Sequence, residues 1–360
     1  MDGFVYTALP SRVIFGSGTL ARVADEVRHL GGERALLLAT PQQTEQVQGL
    51  ADALGGLSAG IFPEATMHTP VEVTERALAM VRETGADCII ALGGGSTTGL
   101  AKAIALRTDL PQVVIPTTYA GSEATPILGE TSGGRKVTQR TLAVLPEVIV
   151  YDVDLTLSLP PGLSVTSGIN AIAHAVEALY AREANPVTSL LAEQGIATLA
   201  GALPDIVRDP TDKRARSDAL FGAWACGVCL GSVGMALHHK LCHTLGGSFD
   251  LPHAETHTVV LPHAVTYNAQ HAGPALERVA RALGTEDAAG GLFDLARALG
   301  APTSLRELGM PEEGLDRAAE LAAADPYWNP RPIERDAIRS LLEDAFRGRR
   351  PEQRSAARPA

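Results

Sequence analysis

Short apolar runs alternate with amphipathic stretches in the first part of the chain. Four of these runs are apolar throughout, as buried strands of a parallel sheet are, and they occupy residues 35–39, 88–92, 113–115 and 148–151. Residues 12–15 form an earlier extended piece that could pair at the edge of the same sheet. Strands that alternate with helices in this order predict an α/β domain built on a parallel sheet.

The pattern changes after the sequence Leu159-Pro160-Pro161. From Ser164 onward, apolar residues recur at helical spacing and strand-like runs nearly vanish. We predict helices at residues 164–182, 187–207, 213–246, 254–270, 274–283, 288–299 and 335–346. The chain is therefore predicted to contain an α/β domain at 1–160, an all-helical catalytic domain at 161–347 and a disordered Pro/Ala/Gln-rich tail at 348–360.

Composition narrows the class of protein. A chain of 360 residues with 36 glycines and 4% aromatic residues suits two domains of α/β and helical type. The formal charge of −11 argues against a nucleic-acid surface, which needs clustered basic residues. The four cysteines are too irregular for a disulfide framework, and Cys226 and Cys229 are predicted to be buried small side chains. No apolar run approaches the about 18 residues of a membrane span, so we expect a cytoplasmic protein without membrane contact.

Three glycines connect a predicted strand to a predicted helix. The strand at 88–92 is followed by Gly93, Gly94 and Gly95, and Ser96 opens the helix. Backbone N–H groups at such a helix start, unobstructed by side chains, make an anion site suited to a pyrophosphate. The sequence is not the G-x-G-x-x-G fingerprint, and an ordinary tight turn is the alternative interpretation.

A hydroxyl-rich loop follows the next strand. Residues 116–123 read Pro-Thr-Thr-Tyr-Ala-Gly-Ser-Glu at the carboxyl end of the predicted sheet, where open α/β sheets bind ligands. Two such loops in one domain favour a dinucleotide site. The strand at 35–39 ends at Thr40 without the acidic residue that would bond a ribose 2′-hydroxyl and repel a 2′-phosphate. We therefore expect this site to accept both NADH and NADPH.

Histidines are concentrated in the second half. Of the 10 histidines in the chain, six fall between His238 and His263. At helical spacing His239 shares a face with His243, His253 with His257, and Asn170 with His174. Each histidine alone is more often a satisfied core residue, but the concentration favours a metal or proton-transfer site.

These residues carry a resemblance to a known superfamily. Gly-Gly-Gly-Ser at 93–96, Thr-Thr at 117–118 with Gly-Ser-Glu at 121–123, and the segments around His174, His243 and His253 resemble the iron-containing alcohol dehydrogenases, which have a dehydroquinate synthase-like fold. Within that superfamily, residues 117–127, 134–146, 164–181, 237–268 and 326–332 together resemble the maleylacetate reductase family.

The resemblance implies a set of site residues. It places the cofactor across Gly94, Gly95, Ser96, Thr117 and Thr118, with Ser122, Lys136 and Thr40 nearby. The superfamily binds a divalent metal, iron or zinc, through one Asp and three His. His174, His243 and His253 match the histidines, whereas Asn170 stands at the Asp position.

Asn170 changes what the implied site can hold. An amide in place of a carboxylate weakens the hold on a divalent ion. A bare carboxylate about 6 Å from a charge of a dianionic substrate would cost roughly 3 kcal/mol at an effective dielectric of about 20, and Asn170 avoids this repulsion. We therefore expect activity that does not require a metal.

The implied reaction is the NAD(P)H-dependent reduction of the C=C bond of maleylacetate, a small dicarboxylate, to 3-oxoadipate. His243 and His253, with His174 and Asn170 beside them, are the candidates that stabilise the developing oxyanion or supply the proton. The residues expected to contact the substrate are Tyr119, His257, Tyr327, Trp328 and Arg331. Packing and helix capping are an equal alternative for the residues around 327–331.

Two other functions stay open on the sequence alone. A metal-dependent alcohol or polyol dehydrogenase on the same fold would keep an acid at position 170. A nucleotide-binding regulatory protein would bind the cofactor without turnover. We expect a homodimer, the commonest association of such chains.

Overall fold

The computed structural model describes residues 3–133 and 135–351, except for the side chains of residues 135 and 136. The chain divides into two compact units. One contains residues 8–159, and the other contains residues 160–351 together with residues 3–7. We call them the α/β unit and the helical unit.

The α/β unit is built on a six-stranded parallel sheet with the order β1-β8-β5-β4-β2-β3. Strands β6 and β7 form a separate antiparallel pair. The strands are β1 Arg12–Gly16, β2 Ala35–Leu38, β3 Ser58–Phe62, β4 Cys88–Gly93, β5 Gln112–Pro116, β6 Ile127–Ser132, β7 Arg135–Arg140 and β8 Val148–Asp152. The helices of this unit are α1 Val23–His29, α2 Thr44–Leu54, α3 Val71–Thr84 and α4 Gly95–Thr108.

Side chains from both faces of the central strands are buried. Leu37 and Ile90 pack in the core that includes residues of α1 and α2, whereas Leu36 and Ile89 pack on the opposite face with residues of α3 and α4. This burial explains why the strands appear in the sequence as continuous apolar runs. The predicted parallel α/β architecture is confirmed, and β1 lies at the sheet edge as expected.

Three strands are missing from the sequence-based prediction. Strand β3 contains Gly60 and is only partly buried, β6 is mostly half-buried, and residues 137–140 of β7 are exposed. A strand with little buried surface has no apolar run to mark it.

The helical unit contains nine α-helices within its described residues. They are α5 Pro161–Tyr180, α6 Pro186–Arg208, α7 Lys213–Ser232, α8 Leu237–Phe249, α9 His253–Asn268, α10 Gly273–Leu283, α11 Ala288–Ala298, α12 Gly314–Ala324 and α13 Arg335–Arg347. Helix α6 packs against α5 and α7, and α9 packs against α5, α8, α11 and α13. The prediction of a helical second half is confirmed, although it missed α12.

The predicted single helix at 213–246 is wrong, because the chain breaks between α7 and α8. Val233 and Ala236 are extended, and the two helix axes differ in direction by 97°. The Glu177 carboxylate on α5 accepts hydrogen bonds from the backbone N–H groups of Ala236 and His238 at 2.8 and 2.7 Å. This buried cap fixes the start of α8, and no pattern within 213–246 predicts it.

The predicted tail begins later than residue 348. Gly348 ends α13 with a positive φ of 63°, Arg349 pairs with Asp344, and Arg350 donates to both oxygens of Asp294. These contacts fix residues 348–350 on the helical unit. Residues 352–360, the rest of the predicted tail, lie outside the described residues.

Helix α6 is long and apolar enough to cross a membrane by length and composition alone. The helix also contains Pro204, and Glu193 on it pairs with Arg278 and Arg281 of α10. Its residues Ile196, Leu199 and Leu203 are fully buried. One face of α6 is therefore packed within the helical unit.

The four cysteines are free and buried, as predicted for Cys226 and Cys229.

Candidate active site

The glycine turn after β4 depends on the absence of side chains. A Cβ atom at Gly93, where φ is 153°, would lie 2.2 Å from Thr97 Oγ1. A Cβ atom at Gly94 would lie 2.9 Å from Thr118 Cγ2, whereas one at Gly95 would meet nothing within 4 Å. The loop after β5 therefore packs directly on the turn that begins α4.

Hydrogen bonds join the carboxyl ends of three strands. The Thr117 N–H donates to the Gly93 carbonyl at 3.0 Å, which ties the loop after β5 to the end of β4. Gln43 Nε2 donates to Thr117 Oγ1 at 2.9 Å, and the Thr40 hydroxyl donates to Gln43 Oε1 at 3.1 Å. The predicted residues Thr40, Gly94 and Thr117 thus lie at one edge of the sheet, next to the start of α4, where no side chain caps the helix. Gln43 was not predicted, and only the fold brings it there.

Lys102 fixes the rest of this loop. Its fully buried ammonium donates to the carbonyl oxygens of Ser122, Thr125 and Ile127 at 2.6, 2.7 and 2.9 Å. Burial lowers the pKa of Lys102 to about 7, and the charge of Glu123 opposes that shift. The predicted residue Ser122 is therefore held through its backbone.

The predicted site residues Tyr119 and Lys136 are not seen with exposed side chains near this loop. Tyr119 is fully buried in the α/β unit. Lys136 lies in β7, but its side chain is outside the described residues.

The helical unit collects imidazoles from three helices. We define the imidazole cluster as His174 on α5, His238, His239 and His243 on α8, and His253 and His257 on α9. Ring centroids are 5.2 Å apart for His174 and His239, 5.1 Å for His239 and His257, and 4.4 Å for His253 and His257. His263 is not in these ring contacts.

His239 and Glu177 are the main members that sequence reasoning did not place in the catalytic set. His239 Nδ1 donates to Glu177 Oε2 at 2.6 Å, and both side chains are buried. Because the carboxylate accepts at Nδ1, Nε2 is the ring nitrogen of His239 left for another partner. The available signal was spacing, since Glu177 is one helical turn after His174 on α5.

Burial keeps the inner imidazoles neutral. The pKa values of His174, His238 and His257 lie well below the usual histidine value because burial and the neighbouring imidazoles disfavour the charged forms. In this cluster and at Asn170, five buried polar atoms have no hydrogen-bond partner among the described residues: Asn170 Oδ1, His174 Nδ1, His238 Nδ1, His239 Nε2 and His257 Nε2. Unsatisfied buried atoms in one cluster indicate a place for a polar ligand.

A second group within the cluster has metal-like spacing. Donor atoms of His238, Cys242 and His257 lie within 4.8 Å of one another. His238 Nε2 and His257 Nδ1 are already hydrogen-bonded to each other at 2.9 Å. The pKa of the Cys242 thiol is raised well above its usual value by burial and by the charge of Glu177. The protonated thiol and the bonded imidazole pair explain this group without an ion.

Residues 326–332 form a strap between α12 and α13 that contains three predicted substrate-binding residues. Tyr327 Oη is 3.0 Å from His243 Nδ1, and burial raises the pKa of this phenol. Trp328 is 40% exposed. Arg331 lies over the Tyr267 ring at 4.0 Å and donates to the Tyr267 carbonyl, so its guanidinium is engaged in packing.

Lys240 is a cation that sequence reasoning missed. Its Nζ lies 5.5 Å from the centroid of the Tyr327 ring, and it makes a long contact of 3.9 Å with the exposed Asp325. Lys240 is also one helical turn before His243 on α8. A positive charge beside the His243–Tyr327 pair suits an anionic substrate.

The comparisons with known proteins identify the family. Residues 10–153 match the family model described as iron-containing alcohol dehydrogenase, and residues 164–346 match the model of the C-terminal region of the Fe-containing alcohol dehydrogenase family. The chain belongs to the iron-containing alcohol dehydrogenase family, and it is an NAD(P)H-dependent oxidoreductase.

Within this family, the chain is similar to maleylacetate reductases along nearly its full length. The chain is 58% identical to a maleylacetate reductase of Rhizobium sp. (strain MTP-10005), covering 98% of this chain and 100% of the relative. It is 55% identical to a maleylacetate reductase of Burkholderia cepacia, with coverage of 98% and 100%. The crystal structure of maleylacetate reductase from Agrobacterium tumefaciens is similar at 58% identity, with a TM-score of 0.94 and coverage of 98% and 100%.

The donor set of this chain does not fit the iron site that the family name implies. Non-haem Fe(II) sites include a carboxylate ligand, and Asn170 supplies only a neutral amide oxygen. Glu177 does not replace that carboxylate, since its oxygens accept from Ala236, His238 and His239. The histidines that match the family's metal ligands are His174, His243 and His253, and position 170 adds a neutral amide to them in place of a carboxylate.

Proposed function

We propose that this chain reduces the C=C bond of maleylacetate to 3-oxoadipate with NADH or NADPH. Near full-length similarity to maleylacetate reductases supports this substrate. The observation that carries the proposal is the imidazole cluster without a carboxylate at position 170, because a dianionic substrate needs neutral or positive neighbours. Asn170 disfavours the rival metal-dependent alcohol dehydrogenase.

The chemistry determines what the site must do. A bound nicotinamide would supply hydride to C2 of the substrate, and the C2=C3 electron pair would then move to make an enolate whose charge lies on the C4 ketone oxygen. A proton then bonds to C3, which gives the saturated product and oxidised cofactor. Stabilising the ketone oxygen and delivering one proton are therefore the main tasks of the protein.

His243 and His253 are the proposed residues for these tasks. A protonated phenol at Tyr327 can donate to Nδ1 of His243, and this leaves the imidazole proton on Nε2. His243 would then act as a hydrogen-bond or proton donor toward the substrate. His253 opens α9 and is exposed, so it is accessible to a ligand.

Substrate carboxylates are proposed to bind near the strap. Lys240 supplies the positive charge, Tyr327 and Trp328 supply polar and aromatic surface, and His257 Nε2 is one of the buried atoms without a partner. The packed position of Arg331 against Tyr267 favours a structural role for that residue. Tyr119 is fully buried. Its predicted contact with the substrate therefore requires a movement of the loop after β5 on ligand binding.

The cofactor is proposed to bind at Gly94, Gly95, Ser96, Thr117 and Thr118 in the α/β unit, with Thr40, Ser122 and Lys136 around it. Its pyrophosphate would accept from the N–H groups at the start of α4, and the nicotinamide supplies hydride when bound. The absence of an acidic residue at Thr40 supports use of both NADH and NADPH. Equal turnover with the two cofactors is the expected result.

We propose that turnover needs no resident metal, as Asn170 suggests. Full activity after dialysis against a chelator, and no gain on adding back iron or zinc, is expected. An inactive chelated enzyme that one divalent metal restores would contradict this.

We further propose that the protein is a cytoplasmic homodimer with no nucleic-acid or membrane partner. Light scattering after size-exclusion chromatography tests the dimer by measuring the molar mass in solution.

The decisive experiment is a substrate comparison. Purified protein should oxidise NADH, followed by absorbance, when maleylacetate is added. Oxidation of primary alcohols or polyols by NAD⁺ in place of this activity would support the metal-dependent dehydrogenase. Cofactor binding by calorimetry without turnover of either substrate would support a regulatory protein.

A further inference from the structure

The strap contacts a catalytic candidate although it has no secondary structure of its own. Residues 326–332 make neither helix nor strand. Tyr327 on the strap nevertheless reaches His243 on α8 at 3.0 Å. Because no helix or strand hydrogen bonds hold this segment, side-chain contacts must fix the position of Tyr327.

Asn329, two residues after Tyr327, uses both ends of its amide. Its Nδ2 donates to Asn268 Oδ1 and to the Arg331 carbonyl, both at 2.7 Å. Its Oδ1 accepts from Asn268 Nδ2 at 3.0 Å and from the Leu237 N–H at 3.4 Å. One side chain therefore joins the strap to the first residue of α8 and the last residue of α9.

A second contact fixes the far end of the strap. Tyr267 Oη donates to the Pro332 carbonyl at 2.7 Å. Arg331 stacks on the Tyr267 ring at 4.0 Å. The strap is thus attached at 329 and at 331–332, and Tyr327 and Trp328 precede both of these attachments.

We propose that Asn329 and Asn268 form an amide latch that positions Tyr327 against His243. The two asparagines are positioning residues, and their effect reaches the reaction through the Tyr327 hydroxyl. The inference rests on the proposed function, because it assigns a use to the His243–Tyr327 pair.

The chemistry of the latch requires amides. The paired asparagines exchange two N–H···O bonds, and each amide offers both a donor and an acceptor. A carboxylate at position 329 would lose both donated bonds and place negative charge beside Asn268 Oδ1 and the Arg331 carbonyl. Asn329→Asp keeps the size of the side chain and removes the latch.

The test is a double-mutant cycle between Asn329→Asp and Tyr327→Phe. Asn329→Asp should lower kcat with maleylacetate by about 10-fold to 100-fold, because a displaced catalytic group loses alignment, and leave KM for NADH unchanged. In the Tyr327→Phe background the same substitution should change kcat by less than about twofold, since its effect acts through the hydroxyl. An equal loss in both backgrounds, or no loss in either, would overturn the latch.

Two further variants guard against a general folding defect. Asn268→Ala should reproduce the kinetic result from the other side of the pair. Gln270→Glu makes the same change from amide to carboxylate at an exposed position after α9, so it is the matched control and should leave kcat unchanged. A fall in kcat that follows the melting temperature across all variants would also overturn the proposal.

Trp328 gives a readout that does not depend on turnover. In a Trp224→Phe background it is the one remaining tryptophan, as the chain has 2. Asn329→Asp should lower its steady-state fluorescence anisotropy, and the control Gln270→Glu should not. Unchanged anisotropy in Asn329→Asp would contradict the latch. If the wild-type enzyme fails to turn over maleylacetate, the proposed function fails, whereas the anisotropy still reports on the latch.

Discussion

The candidate sites of the α/β unit and the helical unit consist of different chemical groups. In the α/β unit the site consists of a glycine turn, backbone N–H groups and hydroxyls from residues close in the sequence, such as Gly94 and Thr117. In the helical unit the site consists of imidazoles from α5, α8 and α9 and a tyrosine from the strap.

The two units differ in how they stabilise negative charge on a ligand. Backbone dipoles at the start of α4 favour an anion without any ionisable side chain. The imidazole cluster instead lowers the pKa of its inner histidines by burial, which keeps them neutral and able to donate or accept. Binding and chemistry are therefore separable, and substitutions in the two units should have different kinetic effects.

The largest expected effect lies in the helical unit. His243→Ala should lower kcat by about 10²-fold to 10⁴-fold, the usual contribution of a general acid, while NADH affinity stays unchanged. His253→Ala should lower kcat more than cofactor affinity as well. Steady-state kinetics and calorimetry with NADH measure both, with His271→Ala on the surface as control. Unchanged turnover in both variants would exclude these histidines from the chemistry.

Acid should destabilise the helical unit through buried imidazole. Burial lowers the pKa of His263 to about 4, against an opposing effect of Asp344. The unfolded chain binds this proton at higher pH than the folded chain does, so stability falls as the pH drops from about 6.5 toward about 4. Urea unfolding should show the wild type losing about 3 kcal/mol more than His263→Asn across that window. Parallel curves for the two proteins would refute this assignment.

A smaller effect is expected in the α/β unit. Gly94→Ala places a Cβ atom 2.9 Å from Thr118 Cγ2 and pushes the loop after β5 away from the helix start. The dissociation constant of NADH should rise about 10-fold to 30-fold, with a lesser change in kcat. Gly49→Ala on α2, where a Cβ atom meets nothing within 4 Å, is the matched control. Loss of kcat with intact NADH binding would break the separation of the two sites.

The smallest effect concerns substrate charge. Lys240→Met should raise KM for maleylacetate about 10-fold without altering KM for NADH, because one charge-assisted contact is lost. Lys213→Met at the exposed start of α7 serves as the control. An unaltered KM for maleylacetate would remove Lys240 from the substrate site.

The sequence predicts the parts of the fold that have strong periodicity. The strands at 35–39 and 88–92, the helices near 164–182 and 254–270, and the glycine turn at 93–95 all follow from local spacing. The single helix expected at 213–246 fails because the Glu177 cap on Ala236 and His238 is a contact of long sequence separation. Gln43 and Lys240 were missed for the same reason, and His239 was predicted on the face of His243 but without its contact to Glu177.

Local chemistry along the chain determined the class of protein. A glycine turn between a strand and a helix leaves backbone N–H groups unobstructed by side chains in any fold, and an amide at Asn170 carries no charge in any fold. Only the tertiary structure decided which side chains form hydrogen bonds with one another. His239 meets Glu177, His243 meets Tyr327, and Asn329 meets Asn268 across 61 to 84 positions of sequence. Hydrogen bonds need atoms within about 3 Å, and packing of separate helices sets such distances.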